Sequence, residues 1–218
     1  MRIFKAFIIV LLLLISPVSI SQETPENKPK MSKGVEDIIN LGKDAIIKLA
    51  LNLVDEKVSV KNFTQTKIMT NGEEIYVYFK NPIKYLPINS SFYFDVGVNL
   101  SSKTVYKNSI ANPVALLNKN DIAFYKETSA IKKQITFVVK AIGINISDLH
   151  NFEDEIIIRE KETYYAVNVI SKFQESWYKI KKESGEIYDE NHTHLEPLPF
   201  KTAGELKFRN VNFTKNNN

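Results

Sequence analysis

The chain reads as an α+β protein in which helices pack on antiparallel meander sheets, in two similar units, and three observations predict this. Apolar residues recur at three- and four-residue spacing in two separate stretches, 35–54 and 131–142. Runs with a period of two follow each stretch. Asn71-Gly72 and Ser184-Gly185 sit between such runs, where a hairpin needs a residue that tolerates positive φ.

The elements follow in order. Arg2 and Lys5 precede an unbroken apolar run from Phe7 to Ile15 and then Pro17, the pattern of an export signal. Ser19 and Ser21 occupy the small-residue positions of a cleavage site, so residues 1–21 are expected to be removed before Gln22. Residues 22–34 form a polar linker. No cysteine stands at the site to accept a lipid, and no later apolar run approaches the roughly 20 residues of a spanning helix. The mature protein is expected outside the cytoplasm, periplasmic or secreted, with no membrane span.

Residues 35–118 are expected to form the first unit. Ile38, Gly42, Ala45, Ile46, Leu49, Ala50 and Leu53 lie on one face of a single helix over 35–54, with Glu36 and Asp37 in its first turn, where the helix dipole favours acids. Strands are expected over 57–69 and 74–79, and residues 81–90, with Pro82 and Pro87, read as a loop. Then Phe92, Phe94, Val96, Val98 and Leu100 alternate with Tyr93, Asp95, Gly97 and Asn99, which predicts a strand with one buried face. Residues 119–200 are expected to form the second unit. Its helix carries Ile131, Ile135, Val138, Val139 and Ile142, starts at Thr128 or Ser129 as N-cap and stops at Gly143. Strands are expected over 155–159, 164–171, 176–181 and 186–188, and the segment 201–218 is read as a final strand and frayed tail.

Composition narrows the function. The 218 residues carry a formal charge of +4, about +2 once Arg2 and Lys5 leave, with Lys and Glu interleaved, so there is no basic stripe for nucleic acid. An exported chain with no cysteine holds itself together by burial and hydrogen bonds alone, and this points to a bacterial source. Sequons at Asn62, Asn89, Asn99, Asn145, Asn191 and Asn212 point the other way, to glycosylation in a eukaryote, but an Asn-rich composition generates such triplets by chance.

In the second half, Tyr164-Tyr165-Ala166-Val167-Asn168-Val169 and the run Trp177 to Ile187, with its Ser184-Gly185-Glu186 turn, resemble the closing strands of PepSY-like domains. That family is found in exported bacterial proteins, including propeptides of secreted peptidases. The resemblance implies a small helix-plus-sheet unit that binds and restrains a partner. Cystatin-like and NTF2-like helix-plus-sheet groups are similar almost to the same degree.

Motifs of catalysis are sparse. No G-x-S-x-G, phosphate loop or H-E-x-x-H is present, and no motif calls for a cofactor. Ser129-Ala130-Ile131-Lys132 and Ser176-Trp177-Tyr178-Lys179 match Ser-x-x-Lys, yet no S-D-N follows and Lys201-Thr202-Ala203 is a broken K-T-G. Capping by Ser129 accounts for the first. His192 and His194, two apart, would face one metal if extended, with Asp189, Glu190 or Glu196 as oxygen donors and His150 completing the set; the alternative is a solvated linker. Tyr76, Tyr78 and Tyr93 are expected on the outer face of the first sheet, as a contact surface for a partner. The sequence therefore predicts an exported, non-catalytic binding or inhibitory protein that acts on another envelope or secreted protein by a sheet face or an edge strand. The alternatives are a small-ligand protein or enzyme with a tyrosine-lined pocket, and a metal-binding envelope protein.

Overall fold

The computed structural model describes residues 31–54, 58–111, 122–149, 151–195, 209–211 and 213. The expected signal segment 1–21 and most of the linker 22–34 lie outside them. The fold is α+β, with two mostly antiparallel sheets. Among the described residues no helix is long and apolar enough to cross a membrane.

The first helical stretch is two helices, α1 (Lys33–Asn40) and α2 (Lys43–Val54). The Ser32 hydroxyl accepts from the Val35 amide and caps α1. Gly42, at φ 84°, breaks the expected single helix, because a left-handed residue ends the run of i to i−4 bonds. The packed face of α2 is also centred differently from the expected stripe. Ile46, Ala50 and Val54 are buried, whereas Leu49 and Leu53, expected on the packed stripe, are exposed.

Beyond α2, Val60–Asn62 forms a short 3-10 turn, and β1 (Gln65–Thr70) starts later than the period-two run suggested. It pairs with β2 (Ile75–Lys80) through a turn in which the Asn71 carboxamide oxygen accepts from the Glu73 and Glu74 amides. The expected loop 81–90 contains a strand, β3 (Ile83–Leu86). Next come β4 (Ser91–Asn99), β5 (Thr104–Ala111) and β6 (Ala123–Phe124). Helix α3 (Ser129–Ala141) is capped by Thr128, not Ser129, and Gly143 at φ 69° follows it. The last strands are β7 (Glu155–Glu160), β8 (Tyr164–Ile170), β9 (Gln174–Lys181), β10 (Ile187–His194) and β11 (Arg209–Asn210).

One sheet has the order β11-β1-β2-β4-β5, with β6 alongside the start of β4; the other has the order β10-β9-β8-β7-β3. Helix α2 covers the first, where Ile46 and Ala50 meet Ile75, Val77, Phe79, Val96 and Val98. Helix α3 covers the second, with Ile135 and Val138 against Ile156, Ile158, Val167 and Ile180. Two similar units are not shown. The sheet orders differ, and strands cross the expected division at 118/119, which itself lies outside the described residues. Strand β3 leaves the first half to pair in parallel with β7. Strand β6 comes from the second half to pair in parallel with β4. Parallel partners are distant in sequence, so no local pattern announces them.

Candidate functional site

Strand β2 buries Ile75, Val77 and Phe79 under α2, which turns Tyr76 and Tyr78 to the other face of the sheet. There the two rings stack, 6.1 Å apart and nearly parallel. Tyr78 lies directly across from Gly97 of β4, and a Cβ at that position would come within 3.1 Å of the Tyr78 ring. Glycine thus lets the ring lie flat on the strand. Tyr106 of β5 stands across Gly97 on the far side and is 56% exposed. Phe152, from the turn before β7, closes the opposite wall edge-on to Tyr78 at 6.4 Å. The Lys67 and Lys80 ammonium groups lie 5.1 and 5.5 Å from the centre of the Phe152 ring, within cation–π range. The result is an aromatic groove of about 660 Å³.

A cluster of charges lies at the inner end of the groove. Lys84 of β3, 1% exposed, pairs with Asp95 of β4 and, at 2.8 Å, with Glu155 of β7. Lys80 reaches Glu155 at 3.4 Å and donates to the Phe152 carbonyl at 2.7 Å. Burial raises the Asp95 carboxyl above its ordinary value, and the neighbouring Lys84 opposes that shift without cancelling it. The four residues span both sheets, because Lys80 and Asp95 stand in the first and Lys84 and Glu155 in the second. Lys80 and Asp95 line the groove, while Lys84 is sealed beneath it. Sequence reasoning missed this cluster. Its members lie up to 75 positions apart, and each looks like an ordinary surface charge.

Away from that cluster, the Tyr76 hydroxyl donates to Glu74 at 2.9 Å, and Asn99 donates to the other Glu74 oxygen at 2.9 Å. Hydrogen bonds from Asn99 and then Tyr76 hold the Glu74 carboxyl below its ordinary value. Burial, helped by the bond to Glu74, pushes the Tyr76 phenol up to about 12. A phenol raised in the folded state contributes stability that is complete below its unfolded value of about 10 and is lost as pH rises from there to about 12. Urea midpoints at pH 9 and pH 11.5 are therefore expected to fall less for Tyr76→Phe than for the wild type. Parallel declines would show that this phenol contributes nothing to alkaline unfolding.

Comparison with protein-family models, curated proteins and solved structures finds no match for this chain. The PepSY-like or cystatin-like resemblance is carried by its residues alone.

The other residues singled out from sequence divide as follows. Tyr93 does not join Tyr76 and Tyr78. A bulge between Tyr93 and Asp95 breaks the alternation of β4, and the Tyr93 ring packs on Phe124 at 5.5 Å with the Lys107 ammonium 5.7 Å away. A bulge sets two residues of one strand against one of its partner, so the faces before and after it no longer follow a count of two. His192 and His194 lie on β10, which extends through the segment read as a linker. The His192 Nδ1 and the Ser176 hydroxyl are 2.9 Å apart across the β9–β10 pair, and Asp189 is held by Lys179 at 2.6 Å. Among the described residues no group of three or more His, Asp or Glu could hold a metal ion; His150 and Glu196 lie outside them. Ser129 and Lys132 sit on the exposed first turns of α3. Ser176 is buried beneath His192 while Lys179 points to the other face of β9, so Ser176 and Lys179 do not converge.

Proposed function

We propose that this chain is an exported binding protein without catalytic activity, and that the aromatic groove is where it holds a protein partner from the envelope or the medium. The groove itself is the observation that supports the reading. Rigid tyrosines offer large contact area at low entropic cost, and Tyr106 is 56% exposed where it lines the groove. The Lys67–Glu153 ion pair beside Phe152 adds charge for orientation. The fitting partner lays an aliphatic or aromatic side chain against the Tyr78 and Tyr106 rings. In the PepSY-like reading, such a partner would be restrained by the contact.

The test uses the chain from Gln22 onward as bait, beside Tyr78→Ser/Tyr106→Ser and, on the other sheet, Trp177→Ser/Tyr188→Ser. A captured protein is then purified and titrated against all three. Loss of one buried aromatic anchor typically costs 2 kcal/mol or more, about 30-fold in Kd. Weakening of at least that size is expected for the groove variant alone. Equal affinity for all three baits sinks the proposal.

A further inference from the structure

A second cavity, separate from the aromatic groove, lies beside the first turns of α3. It is bounded by the 3-10 turn and start of β1 on one side and by Asn81–Ile83 on the other, and its volume is about 960 Å³. Small-molecule sites commonly run from about 300 to 1,000 Å³ and combine apolar walls with a few placed polar groups. Ile83, Ile135, Ile146 and Leu149 supply the apolar wall. Three cations stand around it, each from a different segment: Lys61 from the 3-10 turn, Lys126 from the loop before α3 and Lys132 from α3 itself. One carboxylate, Glu127, lines the same space.

Among the described residues, none of these three lysines has a carboxylate within ion-pair distance, unlike Lys67, Lys80, Lys84, Lys179, Lys181 and Lys182. Among the described residues the lining therefore carries more positive than negative charge, three lysines against Glu127, and the amino end of α3 adds to it. Tyr125, 3% exposed, also belongs to this lining.

We propose that this cleft binds a small organic anion, a carboxylate or sulfonate attached to an apolar body. The apolar part lies against Ile135, Ile146 and Leu149, and the anionic group meets Lys126 and Lys132. An inorganic anion would leave the apolar wall wet, and a neutral lipid would leave the lysines unanswered. The site is independent of the tyrosine groove and of the protein partner suggested for it.

Decanoate is the probe, with decanol as its uncharged counterpart and 8-anilinonaphthalene-1-sulfonate as a fluorescent competitor. Saturable decanoate binding is expected, displacing the fluorophore at one site per chain and weakening as salt rises. Lys126→Gln/Lys132→Gln changes two exposed side chains, so the fold is retained. It is expected to weaken decanoate at least tenfold and decanol less than twofold. Ile146→Glu, at a half-exposed position of the wall, is expected to weaken both ligands. Tyr78→Ser/Tyr106→Ser is expected to leave both unchanged. The proposal is overturned by absence of saturable decanoate binding, by equal affinity in the double-lysine variant, or by loss of binding in the tyrosine variant.

Discussion

Replacing Lys84 by methionine is expected to cost about 3–5 kcal/mol of folding stability, the usual penalty for removing one partner of a buried ion pair. Lys84 is sealed between Asp95 and Glu155 and joins β3 and β7 to β4. Methionine keeps most of the volume, so the loss is electrostatic. Two carboxylates would remain close together at the junction of the sheets, with Lys80 alone to answer them. Desolvation already raises the Asp95 carboxyl. Without Lys84 that group rises further, and acid then supplies the missing proton. The sign follows from linkage. A carboxyl raised in the folded state favours folding while both states are protonated, and that advantage is lost as pH climbs from the unfolded value through the folded one. The deficit of Lys84→Met is therefore expected to shrink as pH is lowered from 7 toward 5. Adding Asp95→Asn should restore part of the stability at pH 7. Urea unfolding of the wild type, the single and the double variant measures all three. A deficit below about 1 kcal/mol at pH 7 would mean that water already screens the cluster.

Phe94→Ala is expected to cost a similar amount, about 3–5 kcal/mol, by opening a cavity. For a chain of this size that corresponds to a fall in Tm of roughly 6–20 °C. Phe94 is fully buried and packs on Tyr125 at 4.6 Å and on Phe92 at 6.0 Å. Its position matters as much as its size. It belongs to a strand of the first sheet, yet its ring sits in the core beneath α3 with Leu86, Ile156 and Ile158, while Val96 and Val98 of the same strand sit beneath α2. One strand thus contributes to both cores. Heat unfolding followed by far-UV and near-UV circular dichroism is expected to show a single shared transition that moves as a whole in the variant. Two transitions, with only one shifted, would show that the cores unfold independently.

The parts of the fold legible beforehand are those whose signals are local. Helix α3 has a polar cap, a stripe at helical spacing and a glycine stop within sixteen positions, and its expected and observed limits agree closely. Strands β7, β8 and β9 bring alternation and turns together in the same way. Where one local signal had to be weighed against another, the reading failed. Gly42 falls in register with an apolar stripe, yet its left-handed backbone ends a helix. The four residues between Pro82 and Pro87 carry no strand signal of their own, because a strand that short, paired with a segment about 70 positions away, has no hairpin partner to mark it.

The aromatic groove was half legible. The alternation along β2 turned Tyr76 and Tyr78 outward together, as expected, but no pattern could place Phe152 or Tyr106 beside them. The bulge in β4 removed Tyr93 from the group. By itself, the sequence determined the α+β class, α3 and the antiparallel run that follows it, and the outward face of β2, because backbone geometry imposes those periodicities within a few residues. Only the tertiary structure decided that β3 and β6 change sheets, that Lys80, Lys84, Asp95 and Glu155 meet, and that the aromatic groove and the lysine-lined cleft lie at different places. Those are relations between segments distant in the chain, and periodicity reports which face a side chain takes without reporting what lies across from it.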